Sequence, residues 1–333
     1  MQIARPRNVL RFRLRATHLD ERLPSGKLSA AAYGGLQDTA PRAAQISLHA
    51  RVEGATPSAW EHPSLVQIWF RGADYVVPRA DLAAFTLGCL PRDPDQRASL
   101  EAIADDVVRA LDGQRMLARD LYAALPQYDR GMVVRFAAPT GRYLIRWDAS
   151  KIWIVPVDRP DADVEQSRLE LARRFVRWFG PCTPERFAWW AGIGPDDANE
   201  TWRKMTSDVI PVKVGSEERF IFASDEPRLR DPSPITGVRL VPPDDPVLKL
   251  DRSMITEGSA LGELLFPARS PGYIPGGLFV DGELAGVWQR QRHRVTVHVP
   301  AGVDGERIEA EALSLRIPGR SAPGISFRLE TVG

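Results

Sequence analysis

Lysine is scarce in this sequence. It stands only at Lys27, Lys151, Lys204, Lys213 and Lys249, so arginine supplies 39 of the 44 basic residues. Cysteine is scarcer still: Cys89 and Cys182 are the only two in 333 residues. Two are too few for a disulfide framework, which a chain of this length does not need. No apolar run reaches about 18 residues, so no membrane span is expected. The basic start MQIARPRNVLRFRLR is followed by no apolar core of the signal-peptide kind, and a cytoplasmic location is expected. The histidines His18, His49, His62, His293 and His298 lie at no usual zinc spacing from Cys or carboxylates, so no metal site is expected. A Walker A loop, a Gly-x-Gly-x-x-Gly turn after a strand and a Gly-x-Ser-x-Gly elbow are all missing. Neither ATP, a dinucleotide nor any other cofactor is therefore expected.

What is present describes an ordinary globular chain. Hydrophobic residues make up 44% and the formal net charge is +1, enough apolar material for packed cores. The 28 prolines and 26 glycines imply many turns. The length fits two or three domains. The arginine excess has two readings, a genome-wide bias or a surface of planar forks suited to phosphate and base edges.

Periodicity divides the chain. Arg11 to Arg15, RFRLR, fits a strand or a basic helical face. Leu28 to Leu36 reads as helix, and Thr39-Ala40-Pro41 as the entrance of a helix from Pro41 to Val52. Apolar residues at 65–70, the turn Arg71-Gly72, the run 75–77 and a helix restarting at Pro78 read as one compact unit of helix, glycine turn, short strand, turn and helix. A second unit carries Ile103, Val107, Val108 and Leu111 at helical spacing, then Leu117, Leu121 and Leu125. Met132–Phe136, Tyr143–Trp147 and Ile152–Val157 read as strands. A third unit has a helix through Phe175 and Phe179, a start signal at Thr183-Pro184-Glu185, and a third helix from Asp197 to Met205. Two strands, 209–214 and 219–223, close it around Gly215-Ser216-Glu217. Helices followed by a short hairpin match winged-helix organisation, whose last helix can enter a groove. Trp178, Trp189, Trp190 and Trp202 fall mostly on apolar core stripes. Residues 227–247 read as a connection. The remainder reads as strand, with a hairpin signal at Asp281-Gly282, and makes a small barrel or sheet.

The stretches GGLQDTAPRAA (34–44), WFRGADYVVPRADL (69–82), RFVRWFGPCTPERFAWWAGI (174–193), RLVPPDDPVLKLDR (239–252) and GGLFVDGELAGVWQRQR (276–292) together resemble the winged-helix family that includes the AlkZ-type alkylpurine DNA glycosylases. The resemblance covers nearly the whole chain. It implies an α+β fold of three tandem winged-helix units, at 1–95, 96–162 and 163–230, followed by a linker and C-terminal β-barrel at 231–333. Together these form a DNA-sized cleft. It also implies a monomer that binds double-stranded DNA and hydrolyses the N-glycosidic bond of alkylated or bulky-adduct purines, in base excision repair or genotoxin resistance. The alternative is a winged-helix protein that binds DNA without chemistry.

The family's glycosylase motif is Gln, a hydrophobic residue, then Gln, Asp or Asn, after Gly-Leu. Here Gln37 matches the first glutamine, Asp38 takes the hydrophobic place and Thr39 the second polar place. An amide can orient water, and a carboxylate can also oppose charge developing on the sugar. Thr39 can hold water but brings no charge, and Asp38 brings charge only if its carboxylate points into the cleft. The competing role for Asp38 or Thr39 is to cap the following helix. Arg11 and Arg13 near the chain start, Arg42 beside the motif, and Arg290, Arg292 and Arg294 in WQRQRHR are the expected phosphate contacts. The last three share one face if their strand is regular, and a merely solvated strand face is the other reading of that cluster. His49, on the helix after the motif, is expected to be structural or merely exposed.

Overall fold

The computed structural model describes residues 2–39, 42–128, 132–148, 150–256, 261–265, 275–315 and 326–331. Strand β1, Gln2–Ala4, leads into the helix Pro6–Ala16, which settles the RFRLR segment as helical. Its proline stands in the first turn, where a missing N–H costs nothing. The expected helix 28–36 stops at Ala31, and Leu36–Gln37 is instead strand β2. Two glycines cause the change. A Cβ on Gly34 would stand 2.3 Å from the Trp178 ring, and Gly35 has a φ of +76° that other residues adopt only with strain. The helix expected from Pro41 begins at Ala43 and ends at Arg51; Pro41 lies outside the described residues. Strands β3, Leu65–Phe70, and β4, Ala73–Pro78, complete an antiparallel sheet of order β2-β4-β3.

The second unit opens with the helix Pro94–Leu111, whose entrance is capped by the Asp93 carboxylate accepting the Gln96 N–H at 2.8 Å. Strand β5, Met116–Leu117, the helix Ala118–Ala124, and strands β6, Tyr143–Trp147, and β7, Ile152–Pro156, follow in a sheet of order β5-β7-β6. Met132–Phe136, expected as strand, is a short helix. A five-residue apolar run has no decisive period, and burial of Val134 with Ala137, Ala138 and Tyr143 selects the helix.

The third unit has helices Val164–Phe179, Pro184–Ala191 and Pro195–Lys204, then β8, Val209–Val214, and β9, Glu217–Phe222. The Thr183 hydroxyl accepts the Arg186 N–H, as the sequence signal implied. Strand β1 returns from the chain start to pair in parallel with β8.

The C-terminal region corrects the barrel expectation. Strands β10, Val238–Val241, β11, Gly276–Val280, β12, Glu283–Gln291, β13, Arg294–Val299, and β14, Ser326–Thr331, lie in that order in one open sheet. Among the described residues no ladder joins β10 to β14. The physical reason is the helix Gly305–Ser314, unforeseen in the sequence, which packs against both edge strands. Its Ile308 and Ala312 bury the apolar face that includes Leu240, Leu278, Val295 and Val297, so the sheet has no need to close on itself. Strand β10 also falls in the segment expected as a plain connection. Of the remainder expected as strand, residues 316–325 lie outside the described ones.

One buried ion pair ties this region to the rest. Arg51 and Asp245 have fully buried side chains and meet through two contacts, at 2.8 and 3.0 Å. Arg51 also donates to the Thr17 carbonyl at 2.8 Å, and the Ser47 hydroxyl donates to Asp245 at 3.0 Å. Arg51→Met should cost about 3–5 kcal/mol, because it strands the Asp245 charge in the interior. Denaturant unfolding would show this, and a loss below about 1 kcal/mol would contradict the role given to the pair.

Candidate functional site

Strand alternation separates the three motif residues. In β2, Gln37 lies opposite Tyr75 of β4, and just beyond it the Asp38 N–H donates to the Asp74 carbonyl at 2.7 Å. Successive side chains point to opposite faces, so Gln37 and Asp38 diverge. Asp38 is completely buried. Its Oδ1 accepts the Ala44 N–H at 3.1 Å, and its Oδ2 accepts from Arg42 and from Gln67, each at 2.9 Å. Asp38 thus caps the helix Ala43–Arg51.

The surroundings of Asp38 join the first unit to the second. Arg42, at a φ of 69°, donates to the Trp147 carbonyl at 3.1 and 3.2 Å, and its guanidinium lies 3.7 Å from the centre of the Trp60 ring. The Gln67 Oε1 accepts the Trp147 N–H at 2.7 Å. Burial pushes the Asp38 carboxyl up to about 6, against the pull of Arg42. Burial likewise pushes Asp74 up to about 7; Arg135 opposes the rise and the neighbouring Asp38 adds to it. The Asp74 Oδ1 has no hydrogen-bond partner among the described residues.

Gln37 looks the other way. Its Oε1 accepts from the Tyr75 hydroxyl at 3.1 Å and from the Lys249 ammonium at 3.0 Å. Burial raises the Tyr75 phenol to about 12, which keeps it protonated and able to donate. The Gln37 Nε2 donates to the Thr39 hydroxyl at 3.1 Å, and Thr39 is exposed. Lys249 is also 2.6 Å from the Asp244 carboxylate. A cavity of about 570 Å³ reaches Lys249 and is rimmed by Arg186 and Trp189. Trp178, Trp190 and Trp202 are core residues as expected, but Trp189 is 51% exposed, and the Arg71 guanidinium lies 4.0 Å from its ring centre. This arrangement sets a largely buried amide beneath an exposed hydroxyl, with the Lys249 ammonium, paired with Asp244, behind the amide.

The structure therefore brings Gln37 and Thr39 together and withdraws Asp38 and Arg42 into a different, buried cluster. The other basic residues are dispersed. Arg13 is buried, donating to the Gly180 and Pro181 carbonyls and pairing with Asp251 at 2.7 Å, which leaves it no face for phosphate. Arg11 pairs with Glu283 at 2.8 Å, as Arg7 does at 2.6 Å. Arg290 lies opposite Val295, and Gln291 opposite Arg294, so Arg290 and Arg294 fall on opposite faces of the sheet. The expected single face is lost because Arg292, at a φ of 56°, sits in the tight turn between β12 and β13. His49 meets the Ser314 hydroxyl at 3.2 Å.

Tyr75 and Lys249 as partners of Gln37, and Asp244 as the partner of Lys249, escaped the sequence reading. The only signal was that 69–82 and 239–252 belong to the family-like stretches, which names no contacts. Among the described residues no cluster of three His, Cys, Asp or Glu could hold a metal, and no helix is long and apolar enough to cross a membrane.

Asp38 and Asp74 bind their protons more tightly folded than in an unfolded chain, where an aspartate titrates near 3.8. Between about pH 4 and about pH 7 the folded state thus holds more protons, and stability from these groups falls as pH rises. Asp74→Asn should flatten that fall and raise the melting temperature at about pH 8. A variant that keeps the parent's pH slope in thermal unfolding would contradict the assignment.

Comparison with known proteins follows the same lines. The family model described as "DNA glycosylase AlkZ-like" matches residues 30–315. The solved structure of the Streptomyces sahachiroi DNA glycosylase AlkZ is similar, with a TM-score of 0.71 and 17% identity, covering 99% of this chain and 100% of that one. No curated protein matches. With the family model spanning most of its length, this chain belongs to the AlkZ-like family of winged-helix proteins.

Proposed function

We propose that this protein binds duplex DNA and hydrolyses the N-glycosidic bond of N-alkylated purines, with Gln37 and Thr39 meeting the reacting nucleotide. The observation that carries this reading is the pairing of the Gln37 amide with the exposed Thr39 hydroxyl. Both acceptor directions of the Gln37 oxygen are occupied by Tyr75 and Lys249, so the group it offers is its N–H. Together the Gln37 N–H and Thr39 hydroxyl can hold a water near the anomeric carbon. A purine alkylated at N7 is cationic and leaves as a neutral base, keeping the electron pair of the broken C1′–N9 bond. Water adds its oxygen to C1′ and releases a proton to solvent. Such a leaving group needs no acid catalyst, which suits a site whose motif carboxylate is occupied elsewhere.

Binding without chemistry is the second reading, and the burial of Asp38 favours it. Single-turnover incubation with alkylated duplex separates the two. The glycosylase reading expects time-dependent release of 7-methylguanine or 3-methyladenine, slowed about 100-fold by Gln37→Ala. Tight binding with no base released at stoichiometric protein leaves the second reading.

DNA contact is proposed for the exposed side chains of Arg292 and Arg294 at the β12–β13 turn, without Arg290, which lies on the other face and donates to the Arg292 carbonyl. Arg294→Gln should weaken binding uniformly across sequences and reduce the salt slope by about 1. An unchanged slope in a salt titration would remove that residue from the interface.

A further inference from the structure

We infer that Lys249, braced by Asp244, is the positioning residue that fixes which way the Gln37 amide faces. The inference builds on the glycosylase reading, but the geometry behind it stands in the free protein. A carboxamide has an oxygen and a nitrogen end of nearly equal shape, and its neighbours decide between them. The Tyr75 hydroxyl does not decide, since it can donate or accept. An ammonium only donates, so the atom 3.0 Å from the Lys249 Nζ must be the oxygen. The nitrogen end is then forced toward Thr39, where it donates at 3.1 Å. Lys249 thereby sets the chemical face that the motif shows to DNA.

The ammonium is itself held from within its own segment. Asp244, in left-handed backbone at a φ of 68°, lies 2.6 Å from it. Residues on either side of Lys249 are pinned by buried ion pairs: Asp245 to Arg51, and Asp251 to Arg13 and to Arg219. Lys249 therefore reaches Gln37 from a segment with little freedom to shift. Asp244 also offsets the ammonium charge, which would otherwise oppose positive charge growing on the sugar.

The test uses the full chain in two arms. In protein labelled with ¹⁵N-glutamine, the Gln37 side-chain amide signals are assigned by their disappearance in Gln37→Ala. Lys249→Met should shift or broaden those signals, Lys249→Arg should restore them in part, and Lys151→Met should leave them in place. In single-turnover release from alkylated duplex, Lys249→Met should lower the rate about tenfold with DNA affinity unchanged, as expected when a reacting group loses its orientation. Unmoved Gln37 signals in Lys249→Met would overturn the proposal. So would a loss confined to DNA affinity, which is the mark of a phosphate contact. If the parent protein released no base, the glycosylase reading would fall, and the amide signals alone would decide on the positioning.

Discussion

The carboxylate of Asp38 holds together three parts of the molecule that share no backbone ladder. Through one oxygen it caps the helix Ala43–Arg51; through the other it receives Arg42 and Gln67, both of which bind the backbone of Trp147 in the second unit. A fully buried carboxylate is tolerable only with such partners, and here they are supplied by the first unit's sheet and the arginine that precedes the helix. With Asp38 held on that side of β2, Gln37 lies on the other, buried against Tyr75 and Lys249 and reaching the exposed Thr39 through its amide nitrogen. A residue that looks catalytic in sequence thus serves as the joint beside which the proposed catalytic pair is mounted.

A second set of buried charges approaches the same place from the C-terminal side. Asp245 locks onto Arg51 at the end of the helix that Asp38 begins. Asp251 collects Arg13, Arg186 and Arg219. Between these anchors Lys249 is delivered to Gln37. The arginine excess of the sequence accordingly has a structural side. Several of its planar guanidiniums are consumed in multidentate interior contacts, a use for which arginine is better shaped than lysine. This sets them apart from the exposed arginines of the β12–β13 turn.

Much of the local structure was legible because its causes are local. The start signal at Thr183-Pro184-Glu185, the helical stripe through Phe175 and Phe179, and the hairpin around Gly215 depend on neighbouring residues and appear where expected. The readings that failed depended on distant partners. The helix expected over Leu28–Leu36 ends early, at Ala31, because Gly34 is pressed against Trp178 of the third unit. Met132–Phe136 became helical through its packing, since its own period is indecisive. The barrel gave way to an open sheet because a helix covers both edges. At the site, Gln37 and Thr39 stood out by motif and spacing, and capping of the following helix was the competing role already open to Asp38. The links to Tyr75 and Lys249 could not be read, since 38 and 212 residues separate them from Gln37 and no periodic pattern records such a contact.

Three adjacent residues divide the proposed labour: Gln37 and Thr39 would meet the substrate, while Asp38 holds the frame. The most direct measurement is a crystal structure with duplex DNA carrying a cationic cyclic-amine analogue of the sugar at one position. The account predicts that analogue within hydrogen-bonding or one-water reach of the Gln37 amide and the Thr39 hydroxyl, with Asp38 still bound to the Ala44 N–H. An Asp38 carboxylate swung out against the analogue, or an analogue seated away from Gln37, would contradict it.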